Sequence, residues 1–96
     1  MTQEPENKIY KVKILVSGFT KEQVTEGLQD LLDEFRVRPW LFETEAYFDE
    51  TNNLLVVIVG YENDFRLEEG AIDEVSDCVI ATLNFNEQIS FNVSRI

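Results

Sequence analysis

The stretch WLFETEAYFDETNNLLVVIVGY, residues 40–61, decides the fold. In its first half Trp40, Phe42, Thr44, Ala46 and Phe48 fall on one side, and Glu43, Glu45 and Tyr47 on the other, the period-two pattern of a half-buried strand. Asp49, Glu50, Thr51, Asn52 and Asn53 then gather turn-forming side chains. Residues 54–61 are apolar almost throughout, as in a central strand contacted on both faces. A loop over 50–53 returns the chain as a hairpin that sets Phe48 opposite Leu55 and Tyr47 opposite Val56. Strand parity then sends Leu55, Val57, Val59 and Tyr61 to the core, and Leu54, Val56 and Ile58 to the opposite face.

Working outward, residues 9–17 alternate as a strand, with Tyr10, Val12, Ile14 and Val16 on one face and Lys11, Lys13 and Leu15 on the other. Gly18 breaks that pattern, and Thr20 followed by Gln23 has the spacing of a capping box. Val24, Leu28, Leu31, Leu32 and Phe35 form one apolar helical stripe, which Pro39 ends. Beyond the hairpin, residues 64–84 predict a second helix with Phe65, Ile72, Val75, Val79 and Leu83 inward. Residues 88–96 predict a last strand, with Ile89, Phe91 and Val93 alternating against Ser90, Asn92 and Ser94. Two right-handed crossovers joined by a hairpin give an α+β, ferredoxin-like βαββαβ domain over 9–96. Its four-stranded antiparallel sheet has the order 4-1-3-2, with both helices on one face. Residues 1–8, polar and containing Pro5, read as a disordered N-terminal tail.

The chain has 96 residues, 44% of them apolar, and a domain of this size buries roughly 60–65% of its unfolded surface. Nineteen acidic against eight basic side chains leave a net charge of -11, which repels nucleic-acid phosphate and anionic lipid. No apolar run approaches membrane-spanning length, so neither nucleic acid nor membrane is an expected partner. The lone Cys78 has no disulfide partner, and a reducing cytoplasm is its simplest setting.

The sheet face away from the helices is the informative surface. It carries Lys11, Lys13 and Leu15 from the first strand, Glu43, Glu45 and Tyr47 from the second, and Ser90, Asn92 and Ser94 from the fourth. Leu54, Val56 and Ile58 complete it beside Leu15, an aliphatic strip in the middle of an uncovered face. Each such side chain gains about 1.5–3 kcal/mol on full burial. The strip therefore reads as a contact surface for a protein partner or for a second copy in a homodimer.

The segment Ile14-Leu15-Val16-Ser17-Gly18-Phe19 resembles the first-strand signature of RNA-recognition motifs. Residues 25–35 are similar to that family's first helix, and Tyr61-Glu62 with Ala71-Ile72 to its third-strand exit and second helix. The resemblance implies the same fold, but the family's base-stacking aromatics are replaced here by Leu15, Val56 and Ile58. RNA binding is thus not expected. Acylphosphatases share the architecture but hold phosphate with an arginine in the loop where this chain offers only Lys21. Metallochaperones of this fold need two cysteines in that loop, and none is present. Small-ligand regulatory domains of the ACT type bind at strand-to-helix loops, which makes Ser17, Gly18, Phe19 and Thr20 the alternative ligand site.

Catalytic chemistry has little to work with. The absence of histidine removes every imidazole base and nucleophile–base pair. Cys78 falls toward the inner face of the second helix, as a core residue does. Glu43 and Glu45 point the same way, but an open sheet face lacks the dry pocket that raises a catalytic carboxyl group. Asp49, Thr51 and Asn53 start like a calcium loop, yet Leu54 stands where glycine is needed and Gly60 where glutamate is needed. A catalytic residue, metal site or cofactor is therefore not expected. The expectation is a non-enzymatic interaction or regulatory module, with an acidic inhibitor or immunity-like partner of a basic protein as a variant.

Overall fold

The structure, a computed structural model of the chain, describes residues 8–83 and 88–96. The expected tail, apart from Lys8, and the expected helix end at Asn84 lie outside the described residues. The elements run β1 (Tyr10–Ser17), α1 (Lys21–Arg36), β2 (Phe42–Asp49), β3 (Leu54–Tyr61), α2 (Leu67–Thr82) and β4 (Ser90–Arg95). One sheet has the order β2-β3-β1-β4 with antiparallel neighbours throughout, which is 4-1-3-2 counted from the other edge. β1 and β3 are therefore central, and β2 and β4 are the edges.

The hairpin pairs as its sequence requires, Phe48 with Leu55 and Tyr47 with Val56. One Asp49 carboxylate oxygen accepts from the main-chain N–H groups of Thr51 (3.0 Å) and Asn52 (3.3 Å), and the other from the Asn52 side-chain amide (2.9 Å). Those bonds, led by the Asn52 amide, hold the Asp49 carboxyl group below its ordinary range. The segment is a turn with its carboxylate already satisfied, and Asn53 closes it in the left-handed region at φ 58.

The start of β2 departs from the sequence reading. The register shifts between Phe42 and Glu45, and Glu43 takes φ 51. The extra residue is a β-bulge, which reverses the parity of everything before it. Phe42, expected in the core, pairs with Gly60 and so shares its side of the sheet with Glu45 and Ile58. It does not belong to the hydrophobic core cluster. Trp40 precedes the strand in a turn, about half exposed, and its indole Nε1 donates to Glu74 Oε1 at 2.9 Å.

Both helices pack on the same sheet face, over Val12, Ile14 and Val16 of β1 and Leu55, Val57 and Val59 of β3. α1 begins with the full capping box: the Thr20 hydroxyl accepts from Gln23 N, and the Gln23 side chain accepts from Thr20 N. Val24, Leu31 and Phe35 are buried, while Leu28 and Leu32 pack against the core from its rim. Gly27 lets the end of α2 pack close against α1, since a Cβ there would meet Leu83 Cδ2 and stand 2.9 Å from Thr82 O. At the other end of α1, the Arg38 guanidinium joins the helices by donating to Glu74 Oε2 (2.6 Å) and Glu34 Oε1 (2.9 Å).

α2 starts three residues later than its periodicity suggests. Phe65 N donates to the Asn63 side-chain oxygen in an Asx turn, and Arg66 caps the helix in the left-handed region. That local turn takes Phe65 out of the helix and leaves it 79% exposed, where the sequence pattern had placed it inward. Ile72 is only half-buried, whereas Val75, Val79 and Leu83 are in the core as expected.

Candidate interaction surface

The face of the sheet away from the helices can be followed row by row from the strand registers. One row runs Tyr47, Val56, Leu15, Asn92 across β2, β3, β1 and β4, and the next runs Glu45, Ile58, Lys13, Ser94. A third begins Phe42, Gly60, Lys11. The sequence-derived residues are thus brought together on one surface, with Leu54 two positions from Val56 along β3.

The strip is not bare throughout. Val56 is only 3% exposed although no helix covers it and it lies outside the main core cluster. Its cover comes from the side: Tyr47 and Leu15 stand directly opposite it, and Leu54 and Ile58 two residues along. Those four are the accessible part of the patch. Leu15, Leu54 and Ile58 are half-buried, and Tyr47 is 44% exposed.

Charge on the face is arranged in two ways. Lys11 Nζ reaches Glu43 Oε1 at 3.1 Å, a bridge that spans β3 where Gly60 has no side chain. A Cβ at Gly60 would stand 3.0 Å from Phe42 O and collide with the Ile9 side chain, so this glycine leaves room for the Lys11 and Glu43 side chains to meet across β3. Lys13 and Glu45 instead flank Ile58 from the two neighbouring strands, about 10 Å apart, and neither has an ion-pair partner among the described residues. An unpaired positive and an unpaired negative charge therefore bracket the apolar patch.

The alternative ligand loop is occupied by its own chemistry. The Thr20 hydroxyl caps α1, Ser17 Oγ lies 2.6 Å from Ser90 Oγ, and Phe19 is buried. Gly18 adopts φ +106, and a Cβ there would sit 2.7 Å from Gln88 O. A shallow hollow of about 320 Å³ lies nearby on α1, but it is lined by Lys21, Glu22, Thr25 and Glu26 and by none of the four loop residues. A smaller concavity of about 60 Å³ lies between Tyr61 and the start of α2, room for little more than a water or two.

Cys78 is fully buried, and burial pushes its thiol up to about 11, far from a reactive thiolate at neutral pH. Burial likewise pushes the Tyr61 phenol up to about 12. Among the described residues no cluster of three histidine, cysteine or acidic side chains has metal-binding geometry. None of their helices is long and apolar enough to cross a membrane. Sequence reasoning missed Phe42, because no glycine or proline marks its bulge, and it missed Gly60, although glycine inside an apolar strand is itself a sign of close approach.

Comparison of the chain with protein-family models, curated proteins and solved structures gave no match.

Proposed function

We propose that this chain is a non-enzymatic protein-interaction module of ferredoxin-like architecture, acting in the cytoplasm, whose contact surface is the open face of its sheet. The observation that carries the reading is the patch of Tyr47, Leu15, Leu54 and Ile58 closed around Val56 and bracketed by Lys13 and Glu45, which have no ion-pair partner among the described residues. An apolar centre flanked by one free charge of each sign suits a protein surface carrying the complementary pair. The apolar part supplies affinity and the charges set orientation. The βαββαβ order, the sheet order and the common helical layer support the architecture. The lone buried Cys78 supports a reducing compartment. The small-ligand reading is the weaker one, since the loop it needs is engaged in capping and packing.

A photo-crosslinking amino acid placed at Tyr47 tests the proposal against the same probe at Glu26, which is exposed on α1. Position 47 is expected to trap a protein partner in cells, position 26 is not, and Ile58→Lys should abolish the adduct. Equal labelling from both sites, or an adduct indifferent to Ile58→Lys, overturns it.

A further inference from the structure

The two edges of the sheet are defended very differently. β2 is interrupted near its start by a bulge with Glu43 in the left-handed region, and carries Glu43, Glu45 and Asp49 along its length. Bulges and edge charges are the ordinary means of preventing a second chain from adding to a sheet. β4 has neither. It pairs regularly with β1 from Val12–Arg95 to Ser17–Ser90, and residues 88–94, QISFNVS, contain no charge and no proline. Its core-facing Ile89, Phe91 and Val93 are only half-buried.

The main-chain groups of that edge that have no partner among the described residues follow from the register. Ile96 N donates to Lys11 O at 3.1 Å, and antiparallel bonding alternates along a strand. Residues 90, 92 and 94 therefore turn their main-chain groups toward β1, whereas Phe91, Val93 and Arg95 turn theirs outward. Above this edge, α2 presents the i, i+4 row Glu68, Ile72, Ser76, Ile80. Glu68 anchors the row to β4 through Arg95 (2.8 Å), and Ile80 is 52% exposed.

We propose that two copies of this chain pair through β4, antiparallel about a two-fold axis at Asn92, to form one continuous eight-stranded sheet. In that register the outward main-chain groups of Phe91 meet those of the second copy's Val93, and reciprocally. Phe91 packs beside Val93 on the helix side, Ser90 meets Ser94 on the open side, and Asn92 meets its own copy. Like charges do not oppose one another along the strand, which matters for a chain of net charge -11. A register shifted by one residue pair instead sets Arg95 against Phe91. The occupant is a second copy rather than an extended peptide because of Ile72 and Ile80. A lone strand added to β4 leaves that helix flank in water, while a second copy brings its own α2 alongside. The pairing is separate from the open-face contact and presents two such faces side by side.

The test is native mass by size-exclusion chromatography with light scattering, with folding checked by circular dichroism. Wild type is expected at twice the chain mass. Ser90→Lys with Ser94→Lys sets lysine opposite lysine at two closely spaced cross-strand positions, and should weaken association at least about tenfold despite lowering the net charge. Ser90→Glu with Ser94→Lys sets opposite charges in the same places and should restore the dimer. Ile58→Lys, on the open face, should leave the mass unchanged. A wild type that stays single up to about 1 mM overturns the inference. So does a dimer indifferent to the double lysine variant, or one that Ile58→Lys dissociates.

Discussion

Residues 54–57 of β3 read Leu-Leu-Val-Val, so the same two side-chain types stand on opposite faces of one strand. Leu55 and Val57 lie beneath the helices with no exposed surface, Leu54 is half-buried, and Val56 is almost sealed with no helix above it. The covered face buries by layers and the open face by neighbours. A core between layers excludes water from every residue in it. A patch on an open face protects only its centre and leaves a rim with apolar area still to lose, which is what a binding partner uses.

The widest gap between the faces should appear on truncating the two leucines. Leu55→Ala is expected to cost about 2–5 kcal/mol in urea denaturation, and Leu54→Ala about 1 kcal/mol or less. Equal losses would break the comparison by showing that the open face is itself covered in solution. The valine pair sharpens it. Val57→Thr buries a hydroxyl group between layers, where it has no solvent and should cost about 1–3 kcal/mol, while Val56→Thr, at the patch centre and a single side chain away from the exposed Tyr47, should cost less. Parity between those two would mean that Val56 is as dry as the main core.

Alkali offers the mildest probe, because only the covered face contains a buried thiol. Cys78 titrates near 11 in the folded chain against an ordinary value of 9.0. The unfolded state therefore loses its proton first, and stability falls as pH rises from about 9 to 11. Cys78→Ala should flatten that limb of the stability–pH curve. An unchanged slope in Cys78→Ala would show that the thiol is not held neutral by the fold.

Most of this architecture was legible because its signals are local. The Thr20–Gln23 box, the 50–53 turn and the alternation around it each fix an element with its own chemistry, and the hairpin register then fixed which face each β3 side chain takes. What escaped the sequence depends on choices that alternation does not record. The bulge at Glu43 turned Phe42 over without any glycine to announce it. The Asx turn at Asn63 shortened α2 and expelled Phe65, although that residue fits a helical stripe. The open-face residues were found by parity, but the near-complete burial of Val56 was not, since it needs neighbours from three strands at once. The split between the closed Lys11–Glu43 bridge and the separated Lys13 and Glu45 likewise depends on which residue of β3 lies between them.

The pairing of β1 with β4 also orders events during synthesis. Of the sheet's strands β1 is made before the others, yet one of its two neighbours, β4, is made after them. Until that strand is available, Val12, Ile14 and Val16 lie on a strand with one unpaired border. β4 then closes that border. For this chain, the interval between translating the hairpin and translating the final strand is the time when chaperone protection matters most.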